Sequence, residues 1–220
     1  MSEGRATGTI AFLRRKPSLR RWVYKVQRAR CSEMLERIGQ ALGEGPFLDL
    51  GAGTCNTCEL LRERGFDATP VDVVDMSFID GLVPVLYDGR RLPFDDDAFD
   101  TALILTVLHH AADPDQVLRE ARRVARRVIV IEDVVKGALH AAGTKAWDSL
   151  MNLEFRGHPH SNRTDAGWRQ SFEGAGLRLV ARSERWSALI MWQVCYVLER
   201  AYQLPATPMW PGTIESRRLA

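Results

Sequence analysis

Apolar residues recur at three- and four-residue steps from Trp22 through Val23, Val26, Met34, Leu35 and Ile38 to Leu42. That spacing predicts one amphipathic helix over 13–42. Gly43, Gly45 and Pro46 follow and end it. The period then shortens. Apolar runs near 47–51, 68–73, 83–87, 99–105 and 127–133 predict strands, with helices between them at 55–65 and 113–125. Asp113-Pro114 supplies a cap and a first-turn proline for the second of these helices. "VDMSFIDGL", between the second and third strands, is short for a full helix. Further on, helices are predicted over 140–154 and over 165–175, the latter opened by Thr164 and closed by Gly174 and Gly176. Two β-rich runs, "LRLVARS" and "LIMWQVCYVLE", complete the strands. From Leu204 the chain has three prolines and no period, which predicts an extension or a disordered tail.

Alternating strands and helices call for an α/β fold with a mostly parallel sheet and helices on both faces. Residues 1–45 form an N-terminal helical extension in this reading, 46–203 the main domain and 204–220 the tail. Such sheets bind ligands at the carboxyl ends of their strands, where strand order reverses.

Composition narrows the class only a little. The 220 residues are 45% hydrophobic and 26% charged, an ordinary globular balance, and the formal charge of +2 is too small to argue for nucleic acid. The basic residues cluster, however. Arg14, Arg15, Lys16, Arg20, Arg21, Lys25, Arg28 and Arg30 form a run without an acid, read first as a solvated face that also carries enough apolar positions to pack over a site. No apolar run is long enough for a membrane span or a signal peptide, so a cytoplasmic location is expected. Cys31, Cys55, Cys58 and Cys195 are then expected to be thiols. Cys55-Asn56-Thr57-Cys58 is a C-x-x-C at a helix start, but no second pair exists to complete a zinc site, and it is read as incidental.

The chemistry begins in "FLDLGAGTCNTCELL", residues 47–61. Gly51 and Gly53 let the backbone turn sharply between a strand and a helix, and let a ligand approach the free N–H groups of that helix. A dinucleotide fingerprint would need a third glycine at Asn56, and no tyrosine has a lysine four residues on. The stretch instead resembles motif I of the class I S-adenosylmethionine-dependent methyltransferases. The resemblance continues in order through "PVDV", "LYDGRRLPFDDDAFD", "FDTALILTVLHHAADPDQVLREARRV" and "RVIVIEDV". It implies a Rossmann-like, mostly parallel seven-stranded sheet and S-adenosyl-L-methionine as cofactor. It places Asp49, Gly51 and Gly53 against the methionine part, Asp72 on the ribose hydroxyls with Asp75 as its competitor, and Asp88 with Gly89 at the adenine. Thr106 falls near the sulfonium. Two departures stand out: Cys55 where the family often has a third glycine, and no Pro-Gly-Gly before the fifth strand.

The acceptor side is less legible. The signature of amino-group methylation, Asn/Asp-Pro-Pro-Tyr/Phe, is absent, and a small-molecule acceptor is expected, with neither nucleic acid nor membrane as partner and room for a homodimer. His109 and His110, just past the fourth strand, stand where the family often has such a pair, in a structural or gating role. His158 and His160 flank Pro159, which favours an extended run with both imidazoles on one side, roughly 6–7 Å apart. These four histidines are the candidate catalytic residues. No metal is assigned. Two other readings stay open: a non-catalytic binding protein of the same fold, and a metal-assisted enzyme using Glu132, Asp133 and a loop histidine.

Overall fold

The structure is a computed structural model describing residues 15–135, 162–187 and 191–201. The helix expected over 140–154, His158, His160 and the tail from Leu204 lie outside the described residues. The elements are α1 (Pro17–Ile38), β1 (Phe47–Leu50), α2 (Asn56–Glu63), β2 (Ala68–Asp72), β3 (Val85–Leu86), β4 (Phe99–Leu105), α3 (Pro114–Val124), β5 (Ala125–Asp133), α4 (Asp165–Gly174), β6 (Leu177–Ser187) and β7 (Met191–Arg200).

The seven strands form one sheet in the order β3-β2-β1-β4-β5-β7-β6. Pairs β1–β2, β1–β4, β2–β3 and β4–β5 are parallel, and β7 runs antiparallel to both β5 and β6. The mostly parallel sheet expected from the alternation is therefore present, in the Rossmann-like, seven-stranded form that the resemblance implied. Strand order reverses between β1 and β4, so their carboxyl ends open the crevice where ligands bind in such sheets.

Side-chain parity sorts the core into two layers. Leu48, Leu50, Val128 and Val130 face α3 and α4, where Val117, Leu118, Trp168 and Phe172 are buried. Phe47, Leu103, Leu105, Ile129 and Ile131 face α1 and α2, against Met34, Leu35, Ile38 and Leu61. Strands covered on both faces are apolar nearly throughout, which is why β4 reads as a continuous run.

Several boundaries differ from the expected ones. The long first helix stops at Ile38 and tightens into a 3-10 turn over Gly39–Leu42. Its apolar stripe is buried only from Cys31 onward; Trp22 is 61% exposed and Val26 36%. The third strand shrinks from 83–87 to two exposed residues, because Pro84 has no N–H for a ladder and β3 is a sheet edge. Residues 73–84 contain no helix, as their length suggested. Both anticipated caps form: Asp113 Oδ1 accepts from the Gln116 N–H at 2.9 Å, and Thr164 Oγ1 from the Gly167 N–H at 3.1 Å. Among the described residues no helix is long and apolar enough to cross a membrane.

Candidate active site

The turn after β1 lies against the end of β2. Gly51 and Ala52 donate their N–H groups to Val71 O at 2.9 and 3.0 Å. Gly53 donates to Asp72 Oδ2 at 2.8 Å, and Asp72 Oδ1 accepts from Val73 N at 2.7 Å. The first glycine is a packing necessity. Gly51 has φ +78°, and a Cβ there would sit 2.5 Å from Val107 Cγ1. Gly53, at φ +51°, is different: a Cβ there would meet nothing within 4 Å among the described residues, so on their side the turn is open. Cys55, standing where a third glycine was expected, adopts the left-handed conformation at φ +63° and precedes α2 directly. The departure in sequence thus keeps the backbone that a glycine would give.

Two carboxylates border this turn. Asp49 is 2% exposed, its Oδ2 has no hydrogen-bond partner among the described residues, and its pKa is pushed up to about 7, first by burial and then by the charge of Asp72. Asp72 is also raised by burial, but N–H groups of Gly53, Val73 and Val74 hold it back. Asp88 is exposed, and its Oδ1 accepts from Arg90 N at 2.8 Å and Arg91 N at 3.0 Å, which lowers its pKa. Glu120 of α3 steadies the same segment by accepting from Leu92 N at 2.8 Å. Gly89, at φ +76°, turns the chain beside Asp88.

Across the crevice β4 ends at Thr106, another left-handed residue at φ +59°. Its N–H donates to Ile131 O at 2.7 Å and its Oγ1 to Leu105 O at 2.7 Å, while the same Oγ1 accepts from Arg30 Nη2 at 2.9 Å. Arg30 brings α1 over the carboxyl end of β4. The basic run is therefore only partly a solvated face, since Arg28 also pairs with Glu59 at 2.7 Å and Glu63 at 2.6 Å, and Arg20 with Asp80 at 2.6 Å. Nothing in the run distinguished Arg30 from its neighbours; its contact partner lies 76 residues away.

His109 is buried in a local network. Its Nδ1 lies 2.5 Å from Glu132 Oε2, while Glu132 Oε1 accepts from Val107 N at 2.9 Å and Leu108 N at 2.6 Å. Glu132 thus fixes the loop that carries Val107 onto Gly51, and His109 is positioned as part of that clamp. His110 is half-buried with its ring centroid 4.0 Å from that of His109. Glu132 and Asp133, adjacent on one strand, point to opposite faces, and both Glu132 oxygens are engaged by protein groups; among the described residues they belong to no cluster that could hold a metal ion. Asp133 faces α1. Burial raises its pKa to about 6, its Oδ1 has no partner among the described residues, and His109 and Arg30 oppose the shift. Cys55 and Cys58 are fully buried free thiols with burial-raised pKa values, Cys55 at about 12, the reverse of a reactive helix-start thiolate.

The structure thus gathers Asp49, Gly51, Gly53, Asp72 and Thr106 at one switch point, puts Asp88 and Gly89 on the rim beyond β2, and places His109 and His110 beside β5. His158 and His160 lie outside the described residues.

This chain is similar to known proteins over the same region. The methyltransferase domain family matches residues 48–128. A demethylmenaquinone methyltransferase of Mycolicibacterium paratuberculosis is 38% identical over 102 residues, 42% of this chain and 44% of the relative. The mitochondrial 2-methoxy-6-polyprenyl-1,4-benzoquinol methylase of Mus musculus is 35% identical over 77 residues, 35% of this chain and 23% of the relative. The chain thus spans less than half the length of either curated relative. Among solved structures, magnesium protoporphyrin IX methyltransferase from Synechocystis with bound S-adenosylhomocysteine shares the fold at a TM-score of 0.57 and 17% identity, covering 80% of this chain and 84% of that one.

Proposed function

The chain belongs to the class I S-adenosylmethionine-dependent methyltransferases, and from that membership we propose that it transfers the methyl group of S-adenosyl-L-methionine to a small-molecule acceptor. The observation that carries the reading is the Gly53–Asp72 tie at the switch point. It holds an open turn and a carboxylate side by side, on the side where the sheet's strand order reverses.

The residues present fit the cofactor. Asp49 Oδ2 is a buried acceptor without a partner, beside the turn that the family packs against the methionine part, and that part brings a cationic ammonium. Asp72 offers a charged acceptor to the ribose hydroxyls, and Asp88 to the adenine amino group. Thr106 and the clamped loop behind it form the wall toward the sulfonium. Bound there, the cofactor supplies a methyl group already activated for transfer. The protein's work is to orient the acceptor and exclude water, and positioning of this kind contributes roughly 7–11 kcal/mol.

A hydroxyl, thiol or ammonium acceptor must also lose a proton. We assign that task to His158 or His160, with His110 as the alternative and His109 in a positioning role through Glu132. A base of this kind adds about 10²–10⁴ in rate. Support for a small acceptor comes from the relatives named for demethylmenaquinone and for a polyprenyl benzoquinol, which makes isoprenoid quinones and quinols the first compounds to try. The test is a panel of such quinols and other phenols, thiols and amines with methyl-labelled cofactor, with and without a chelator. Label transfer unaffected by the chelator supports the reading. Cofactor binding without transfer to any acceptor would favour a non-catalytic binding protein, and chelator-sensitive transfer a metal-assisted enzyme.

A further inference from the structure

Among the described residues Asp49 is a buried acid without a counter-ion. The ionisable groups facing it are Asp72 from β2, Cys55 and Cys58 from α2, and Cys31 from α1. None of them carries a positive charge. The thiols are held protonated by their own burial, and the Cys58 thiol and N–H lend Asp49 its hydrogen bonds. Asp72 is better provided for, since three backbone N–H groups point at its two oxygens. An ionised carboxylate buried without a partner is far costlier than a protonated one, so the unliganded site keeps a proton on the less solvated acid.

We propose that Asp49 exchanges this proton for the cationic amino-acid end of the cofactor, so that cofactor binding releases a proton from the chain. The inference rests on the functional reading above. The balance is simple: the Asp49 carboxyl ionises, its proton passes to solvent, the ammonium becomes its counter-ion, and no covalent bond forms or breaks. The direction of the shift at Asp49 and its onset near pH 7 agree with this placement. Apparent affinity then rises with pH through the unliganded pKa, by about tenfold between pH 6 and pH 8, and about half a proton leaves per cofactor at pH 7. Asp72 is shifted in the same direction, so the assignment to Asp49 needs a variant of that residue alone.

The experiment is titration calorimetry of the full chain with S-adenosylhomocysteine, which shares the amino-acid end. It is run at pH 6, 7 and 8, and at pH 7 in two buffers of different ionisation enthalpy. The expected result is about tenfold tightening across the range and a binding heat that depends on the buffer in the sense of proton release. Both should vanish in Asp49→Asn. Affinity independent of pH with buffer-independent heat in the unmodified protein would overturn the proposal, without reliance on any variant. So would a pH slope that survives in Asp49→Asn. Failure to bind at every pH would instead overturn the functional reading and take this inference with it.

Discussion

Arg30 of α1 donates to the hydroxyl of Thr106 at 2.9 Å, which ties the N-terminal helix to the carboxyl end of β4. The bond joins a charged donor to a half-buried hydroxyl that already serves Leu105 O. Arg30→Ala is expected to lower unfolding stability by about 1–2 kcal/mol, near the lower end for a hydrogen bond to a charged group. Arg30→Lys should recover only part, because an ammonium lacks the guanidinium's reach and planar geometry. Urea denaturation of the three proteins measures this; an unchanged midpoint in Arg30→Ala would show that the contact contributes nothing.

The two glycines of the turn should respond differently to the same change. Gly51→Ala must both adopt φ +78° and push Val107 aside, and is expected to cost about 2–4 kcal/mol. Gly53→Ala meets no neighbour and bears only the backbone strain, about 1 kcal/mol. Its methyl instead projects into the open space assigned to the cofactor, so S-adenosylhomocysteine affinity should fall by about tenfold or more. Thermal melting and calorimetry on both variants separate these effects; equal melting points would refute the Val107 argument.

Asp72→Ala is expected to weaken S-adenosylhomocysteine binding by tens-fold, since hydrogen bonds to a charged acceptor contribute roughly 1.5–3 kcal/mol each. The loss should exceed the ribose contacts alone, because the same carboxylate holds Gly53 N in place. Asp75→Ala, whose Oδ1 accepts from Ser77 N at 2.9 Å within its own loop, should change affinity much less. Calorimetry ranks them, and the opposite order would identify Asp75 as the ribose acid.

Asp133 gives the unliganded fold a pH signature. Burial raises its pKa to about 6, above the ordinary carboxylate range, so the folded state holds the proton more tightly than the unfolded chain. Where the native state binds more protons, stability falls as pH rises. The loss accumulates from about pH 4, where the unfolded carboxyl ionises, to about pH 6, where the native one does. Asp133→Asn should therefore gain stability relative to the unmodified protein across that window and keep the gain above it. Denaturation midpoints at pH 4, 5, 6 and 7 test this, and a constant difference would count against it.

Much of this architecture is legible in the sequence because doubly covered strands are apolar throughout and helices between them are amphipathic. β1, β2, β4 and β5, the caps at Asp113 and Thr164, and the glycine turn after Asp49 all follow from local rules. What local rules miss is decided by distant partners. Trp22 and Val26 share the helical stripe of Met34 and Leu35, yet the sheet reaches only the second half of α1. His109 suggests a base by its type, and only the fold reveals that Glu132, 23 residues on, occupies its Nδ1. The left-handed backbone at Cys55 and Thr106 is likewise imposed by surroundings, since neither residue type favours it.

The four cysteines all belong to the apolar layer beneath α1 and α2, and all are buried. An alkylating reagent in solution meets these thiols only when that layer parts. Burial also raises the pKa of each thiol, so the closed form presents little thiolate to such a reagent. The protein therefore carries its own stopwatch: under a reagent that outpaces reclosing, the rate at which its thiols are consumed counts how often the layer beneath α1 and α2 opens.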